Sequence, residues 1–90
     1  PRESDIEKEI KRMDRVCAEM ARGPKFAEML IEVPSVQGVD NLGEADVEVR
    51  VAGRSLPVQQ WKVERELRRR IATELRSTYA AIKVSGGVTA

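Results

Sequence analysis

The sequence has no histidine, one cysteine and only three aromatic residues, Phe26, Trp61 and Tyr79. Each scarcity closes off a class of function. Without histidine there is no general base titrating near neutrality, no Ser–His or Cys–His pairing, and few of the familiar zinc and copper sites. That weighs heavily against an enzyme. A single cysteine cannot form an intrachain disulfide, and Cys17 falls on the apolar stripe of a helix, as a structural core thiol of a reducing compartment would. No apolar run approaches the roughly 20 residues needed to cross a bilayer, and no basic-then-apolar secretion signal opens the chain. Sixteen basic and fifteen acidic side chains leave a net charge of +1, so no overall field draws the chain to nucleic acid or an anionic membrane.

What is present fits one small domain. Ninety residues with 41% apolar content can bury only about 60–65% of their unfolded surface, around a core of Val, Ile, Leu, Met and Ala. The chain opens Pro1-Arg2-Glu3 just before a helix, which is expected of an excised or processed piece whose function lies partly outside it.

Ser4-Asp5-Ile6-Glu7 matches a capping box, so a helix is expected to start there. Ile6, Ile10, Met13, Cys17 and Met20 then recur at alternating spacings of four and three, drawing one narrow apolar stripe. Gly23-Pro24 ends it. Lys25–Val33 fits a short helical turn, with an extended Leu30–Val33 as the alternative, and Pro34 is expected to interrupt either. A strand over Ser35–Leu42 with Gly38 as a bulge, a two-residue turn at Gly43-Glu44, and a second strand from Ala45 make a hairpin. In Ala45–Val51 every odd position is apolar and every even one charged, so one face packs and the other, with Glu48 and Arg50, meets water or a partner. Gly53–Pro57 reads as a connection, with Pro57 in the first turn of a helix running to about Ser77. On that helix Val63, Leu67, Ile71, Leu75, Trp61 and Ala72 share one broad side, and Lys62, Arg65, Arg69 and Arg76 share another. Tyr79–Val84 reads as a last strand, ended by Gly86-Gly87, with Val88-Thr89-Ala90 frayed.

Helix, strand, strand, helix, strand is the order of an α+β ferredoxin-like two-layer sandwich, βαββαβ, lacking its first strand, with two helices on one face of a small sheet. The missing strand would be central, so its place is expected to be covered by Leu30–Val33 or by a second molecule. The wording of the sequence narrows the reading further. Asp5-Ile6-Glu7-Lys8, the run from Pro34 to Gly43, Val47-Glu48-Val49-Arg50-Val51, and the helix Gln60-Trp61-Lys62-Val63-Glu64-Arg65-Glu66-Leu67-Arg68-Arg69-Arg70-Ile71 resemble, in this order and spacing, the C-terminal domain of the MscS family of small-conductance mechanosensitive channels. The resemblance covers roughly Asp5 to Tyr79. Two departures stand out: the closing Gly and Ile-x-x-Pro strand of the family is replaced by Ser77–Val84 without proline, and the upstream strand, middle domain and membrane helices are absent.

That resemblance implies a non-catalytic cytoplasmic domain that shapes the vestibule below a tension-gated pore. It further implies a parent embedded in the inner membrane as a homo-oligomer, typically a heptamer. No cofactor, metal, nucleic acid or small-molecule substrate is expected. Asp40, Glu44 and Asp46 flank the hairpin turn without the further ligand a calcium loop needs, and the aromatics fall outside the two clear strands where RNA-binding sheets place them. The last helix carries six basic and three acidic residues from Trp61 to Thr78, against six acidic and one basic from Glu28 to Arg50. Such opposite patches suit a heterologous contact around a ring, and suit mere solvation equally. Glu64 and Arg68, at i and i+4, form an ion pair bordering the apolar arc. Trp61 is expected to anchor the core, with a subunit interface as its alternative role. Candidate interface residues are therefore Glu48, Arg50, Trp61, Lys62, Arg65, Arg69 and Arg76. An independent ferredoxin-like binding or regulatory module needs the same fold and no membrane partner, and is the competing reading.

Overall fold

A computed structural model describes residues 3–41, 47–75 and 82–90 of the chain. The elements are α1 (Glu3–Arg22), α2 (Pro24–Ala27), β1 (Leu30–Asn41), β2 (Val47–Ser55), α3 (Gln60–Leu75) and β3 (Ile82–Thr89). α1 already includes Glu3, which puts Ser4 inside its first turn and not at its cap. The apolar stripe of α1 buries Met13, Cys17 and Met20 completely, with Val16 beside them, while Ile6 packs at the margin. Gly23 then breaks the helix, and Pro24 starts the single turn of α2, which buries Phe26. Lys25–Val33 thus resolves into both of its readings, a helical turn followed by the start of β1.

β1 does not stop at Pro34. It runs through the proline as an edge strand of the order β1-β2-β3, paired antiparallel to β2. An edge position suits a residue with no N–H to donate, and the register slips before it between Leu30 and Glu32, across it between Glu32 and Ser35, and after it between Val36 and Gly38. Gly53 makes the proline's buried position possible, because a Cβ there would stand 2.7 Å from the Pro34 ring. The irregular stretch is tied to α1 by Asp14, whose Oδ1 accepts a 2.8 Å bond from the Val36 N–H. A backbone donor next to a register slip is thereby satisfied by a side chain instead of a strand partner.

β2 carries the alternation the sequence displays. Val47, Val49 and Val51 are buried in the same cluster as Met13, Cys17 and Met20 from α1 and Val63, Leu67, Ile71 and Leu75 from α3. Both long helices therefore lie on one face of the sheet. The strand continues through Gly53 to Ser55, beyond its expected end, and α3 begins only at Gln60, leaving Pro57 in the preceding turn. The hairpin turn at Gly43-Glu44, the first two residues of the expected second strand, and Arg76, Ser77 and Tyr79 lie outside the described residues.

The largest correction concerns the end of the chain. Gly86-Gly87 does not terminate β3; the strand passes through both glycines to Thr89 and buries Val88. It pairs in parallel with β2 from Val47↔Ile82 to Arg54↔Thr89, with α3 as the crossover. In a ferredoxin-like sheet the absent first strand would separate these two strands. Here β3 takes that slot itself, and Leu30–Val33 pairs on the opposite side of β2. Gly86 sits at φ +82°, and a Cβ on it would run into the Val51 carbonyl oxygen; a Cβ on Gly87 would run into the Glu64 carboxylate. Arg68 completes the attachment, its Nη2 donating to the Gly86 carbonyl at 2.8 Å and lying 3.4 Å from Glu64 Oε1.

Two outcomes are expected. Gly86→Val should lower stability by about 2–3 kcal/mol, since it adds backbone strain and forces the strand off β2, as measured by urea unfolding. Cys17, fully buried and with its thiol pushed up to about 11 by burial and by the Asp14 charge, should label with a maleimide at pH 8 only as fast as the chain unfolds; stoichiometric labelling of the native protein within seconds would contradict its placement.

Candidate interaction site

α3 presents two different surfaces beyond its buried stripe. Val63, Leu67, Ile71 and Leu75 recur every four residues, so the small sheet and α1 cover only a narrow arc. Trp61 stands about 200° around the helix from Val63 at ~100° per residue, and it is 60% exposed. The expectation of a core anchor is therefore wrong. Ala72 is also exposed, for the same reason. Trp61 belongs with a group of exposed apolar side chains around the β2–α3 turn, Leu56 and Val58, the latter 70% exposed. Val58 has φ +72°, a left-handed conformation unfavourable for a β-branched residue. Ile31 and Val33, at the start of β1, are exposed as well, and the Leu56 N–H bonds the Met29 carbonyl at 2.8 Å, so this strand start adjoins the turn. A cue to this group is visible in the residues themselves, since Leu56 and Val58 are apolar in a short connection between strand and helix.

The open face of the sheet is charged but largely neutralised within itself. Arg50 Nε is 3.0 Å from Asp40 Oδ2, and Arg54 is 3.5 Å from Glu32, each across the β1–β2 pair. Glu48 accepts a 3.0 Å bond from the Ser85 hydroxyl of β3. These acidic residues of the hairpin region are thus engaged locally.

On α3 the basic residues behave differently from one another. Arg68 holds β3, and its pairing with Glu64 is the one the i, i+4 spacing indicates. Arg69 and Arg70 converge on Glu66, with Arg69 Nε and Nη2 at 3.1 and 2.8 Å and Arg70 Nε at 2.6 Å. This fork is invisible in the sequence, where three consecutive arginines read as a solvated run. Lys62 and Arg65 are exposed and have no carboxylate partner among the described residues. Together with Lys25 and Phe26 of α2, the residues Lys62, Arg65, Glu66 and Arg69 line a hollow of about 300 Å³. The Lys25 ammonium lies 5.4 Å above the Phe26 ring, and the Arg70 guanidinium lies 5.9 Å from it. Of the seven candidate interface residues, the structure brings Lys62, Arg65 and Arg69 together around this hollow. Trp61 lies one residue ahead of Lys62 on the same helix, and Glu48 and Arg50 are on the far face of the sheet, away from the buried valines.

No three Cys, Asp or Glu side chains cluster to hold a metal ion among the described residues, and no helix among them is long and apolar enough to cross a membrane.

Hydrogen bonds from Arg69 and then Arg70 hold the Glu66 carboxyl down at about 2, against an ordinary value of 4.5. A carboxylate depressed in the folded state stabilises the fold fully above its unfolded value and loses that contribution as pH falls through the folded one. The stability difference between the native chain and Glu66→Gln should therefore be constant above pH 4.5 and shrink steadily as pH falls towards about 2, as followed by thermal melting; a deficit unchanged down to pH 2 would count against the fork.

Residues 1–81 match the family of C-terminal domains of the mechanosensitive ion channel MscS. The chain is similar to a small-conductance mechanosensitive channel of Caldanaerobacter subterraneus subsp. tengcongensis, with 31% identity over 71 residues, which make up 79% of this chain and 24% of that protein. It thus spans about a quarter of that relative's length. No solved structure matches it. The match runs through α1, the β1–β2 hairpin and α3, and the chain belongs to the family of MscS mechanosensitive channel C-terminal domains.

Proposed function

We propose that this chain is the non-catalytic assembly and vestibule domain of a tension-gated channel, a single domain of a larger membrane protein. It lies on the cytoplasmic side and contacts its neighbours in a homo-oligomer, a heptamer by family resemblance. Family membership supports the parent's identity. The observation that carries the assembly role is the exposed apolar group around the β2–α3 turn, with Trp61 60% exposed in a chain that has only three aromatic residues. Singly exposed apolar residues are ordinary, but Leu56, Val58 and Trp61 fall within six consecutive residues, and the strained Val58 backbone presents its side chain outward. A large aromatic at such a place is the type of residue on which interface energy concentrates.

In this reading Trp61 is the anchor of the subunit contact. Lys62, Arg65 and Arg69 form the charged margin on the same helix, and Glu48 and Arg50 a second margin on the open face of the sheet, with Arg76, outside the described residues, as the remaining candidate. Charge at the rim would govern the register and rate of assembly more than its strength.

The test is Trp61→Ser in the full-length channel, followed by native mass spectrometry and by patch recording of tension-activated current. Loss of an anchor worth 2 kcal/mol or more weakens subunit association by roughly 30-fold. Partial or absent rings and reduced current are expected. Intact oligomers at the wild-type dilution limit, with unchanged gating, would refute the role given to Trp61.

A further inference from the structure

We propose that the hollow between α2 and α3 binds a compact polyanion with linked phosphate groups, held by Lys25, Lys62, Arg65 and Arg69. The inference goes beyond the assembly role and does not depend on it.

The balance of charge comes first. Four cationic side chains and one carboxylate line the hollow, and that carboxylate, Glu66, is already shared between Arg69 and Arg70. Lys62 and Arg65 have no carboxylate partner among the described residues, and Lys25 rests over the Phe26 ring. Surplus positive charge in a concave place is attracted to an anion more strongly than the same charge on a convex face, because the walls exclude water and focus the field.

The second point is geometry. Lys62, Arg65 and Arg69 recur at i, i+3 and i+7, so they occupy one face of α3 over about 10 Å of its length, while Lys25 approaches from α2. Cations arriving from two sides suit tetrahedral oxyanions, which present oxygens in several directions, and arginine forks suit phosphate oxygens in particular. Two linked phosphates match the surplus of cations over carboxylate in the lining, and the long, flexible side chains let the cations close on them. A volume of about 300 Å³ is at the lower end of small-ligand sites.

The third point concerns the nearest competitor, an acidic patch of a second copy. Asp40 and Glu32 on the open face of the sheet are paired with Arg50 and Arg54 of their own sheet, so those two carboxylates are less available to a neighbour's hollow than a small anion is.

The experiment titrates inorganic pyrophosphate into the chain by calorimetry at about 0.1 M salt. Saturable one-to-one binding is expected, weakened at least about tenfold by the double substitution Lys62→Gln/Arg65→Gln, as loss of two charge-assisted contacts requires. The control Lys11→Gln/Arg15→Gln removes the same charge from the exposed face of α1 and should leave binding within about twofold. All four substituted residues are exposed, and equal melting temperatures verify that each variant is folded. Vesicles containing phosphatidic acid form a second arm: capture by vesicles that is lost in the Lys62/Arg65 variant, without saturable binding of free pyrophosphate, keeps the site and assigns its phosphate to a lipid headgroup. Equal weakening by both variants, or no saturable binding in either arm, overturns the proposal. So does tighter binding of polyglutamate than of polyphosphate of the same charge, which would assign the hollow to an acidic protein segment.

Discussion

The approach of β3 to β2 is the contact on which the rest of the domain depends, and it is possible only because positions 86 and 87 carry no side chains. Gly86 abuts the Val51 carbonyl and Gly87 the Glu64 carboxylate, so the strand lies closer to both its neighbours than any chiral residue would allow. Once there, it completes a three-stranded sheet large enough for two helices, buries Val88, and gives Arg68 a carbonyl to hold. Without it β2 would be an edge, and the α1–α3 layer would rest on a bare hairpin, which is marginal by itself in water. The parallel pairing also fixes α3 as a crossover, and that placement aims its buried stripe at Val47, Val49 and Val51.

Charge is distributed by the same economy. Asp40 and Glu32 are spent across the hairpin, Glu64 beside the glycines, and Glu66 on two arginines of its own helix. A nearly neutral sequence therefore folds into a surface on which, among the described residues, unpaired positive charge from two elements gathers at the mouth between α2 and α3. Net charge reports none of this, because it sums over pairs that the fold has already closed.

Much of the architecture was legible from residue pattern. The stripe of α1, the alternation of β2, the buried series Val63–Leu67–Ile71–Leu75 and the bulge near Gly38 follow from periodicity and from the special backbone of glycine, and each is present. Four positions depart from the pattern for one reason: Pro34, Gly53, Gly86 and Gly87 look like local punctuation, whereas tertiary contacts decide their state. Pro34 remains in a strand because its neighbour across the sheet has no side chain, and the two late glycines are strand residues because a second strand comes close to them. Trp61 is exposed despite its apolar neighbours on the helix because a helix covered by a small sheet buries a narrower arc than a broad apolar face suggests. Of the interaction surfaces, the basic stripe could be read from spacing. Its meeting with Lys25 and Phe26 could not, since nothing in the sequence says where a single turn of helix will lie relative to one 35 residues later.

The Pro34–Gly53 contact links two positions on separate strands into one heritable unit. The ring occupies the volume that a methyl group at 53 would need, so the cost of a side chain at 53 depends on what stands at 34, and the two substitutions are non-additive by construction. Drift at either position is therefore conditional on the other. Clearing the ring is not enough by itself, because the Pro34 Cα would also stand 2.8 Å from a Cβ at 53, so a side chain there requires the two strands to move apart as well.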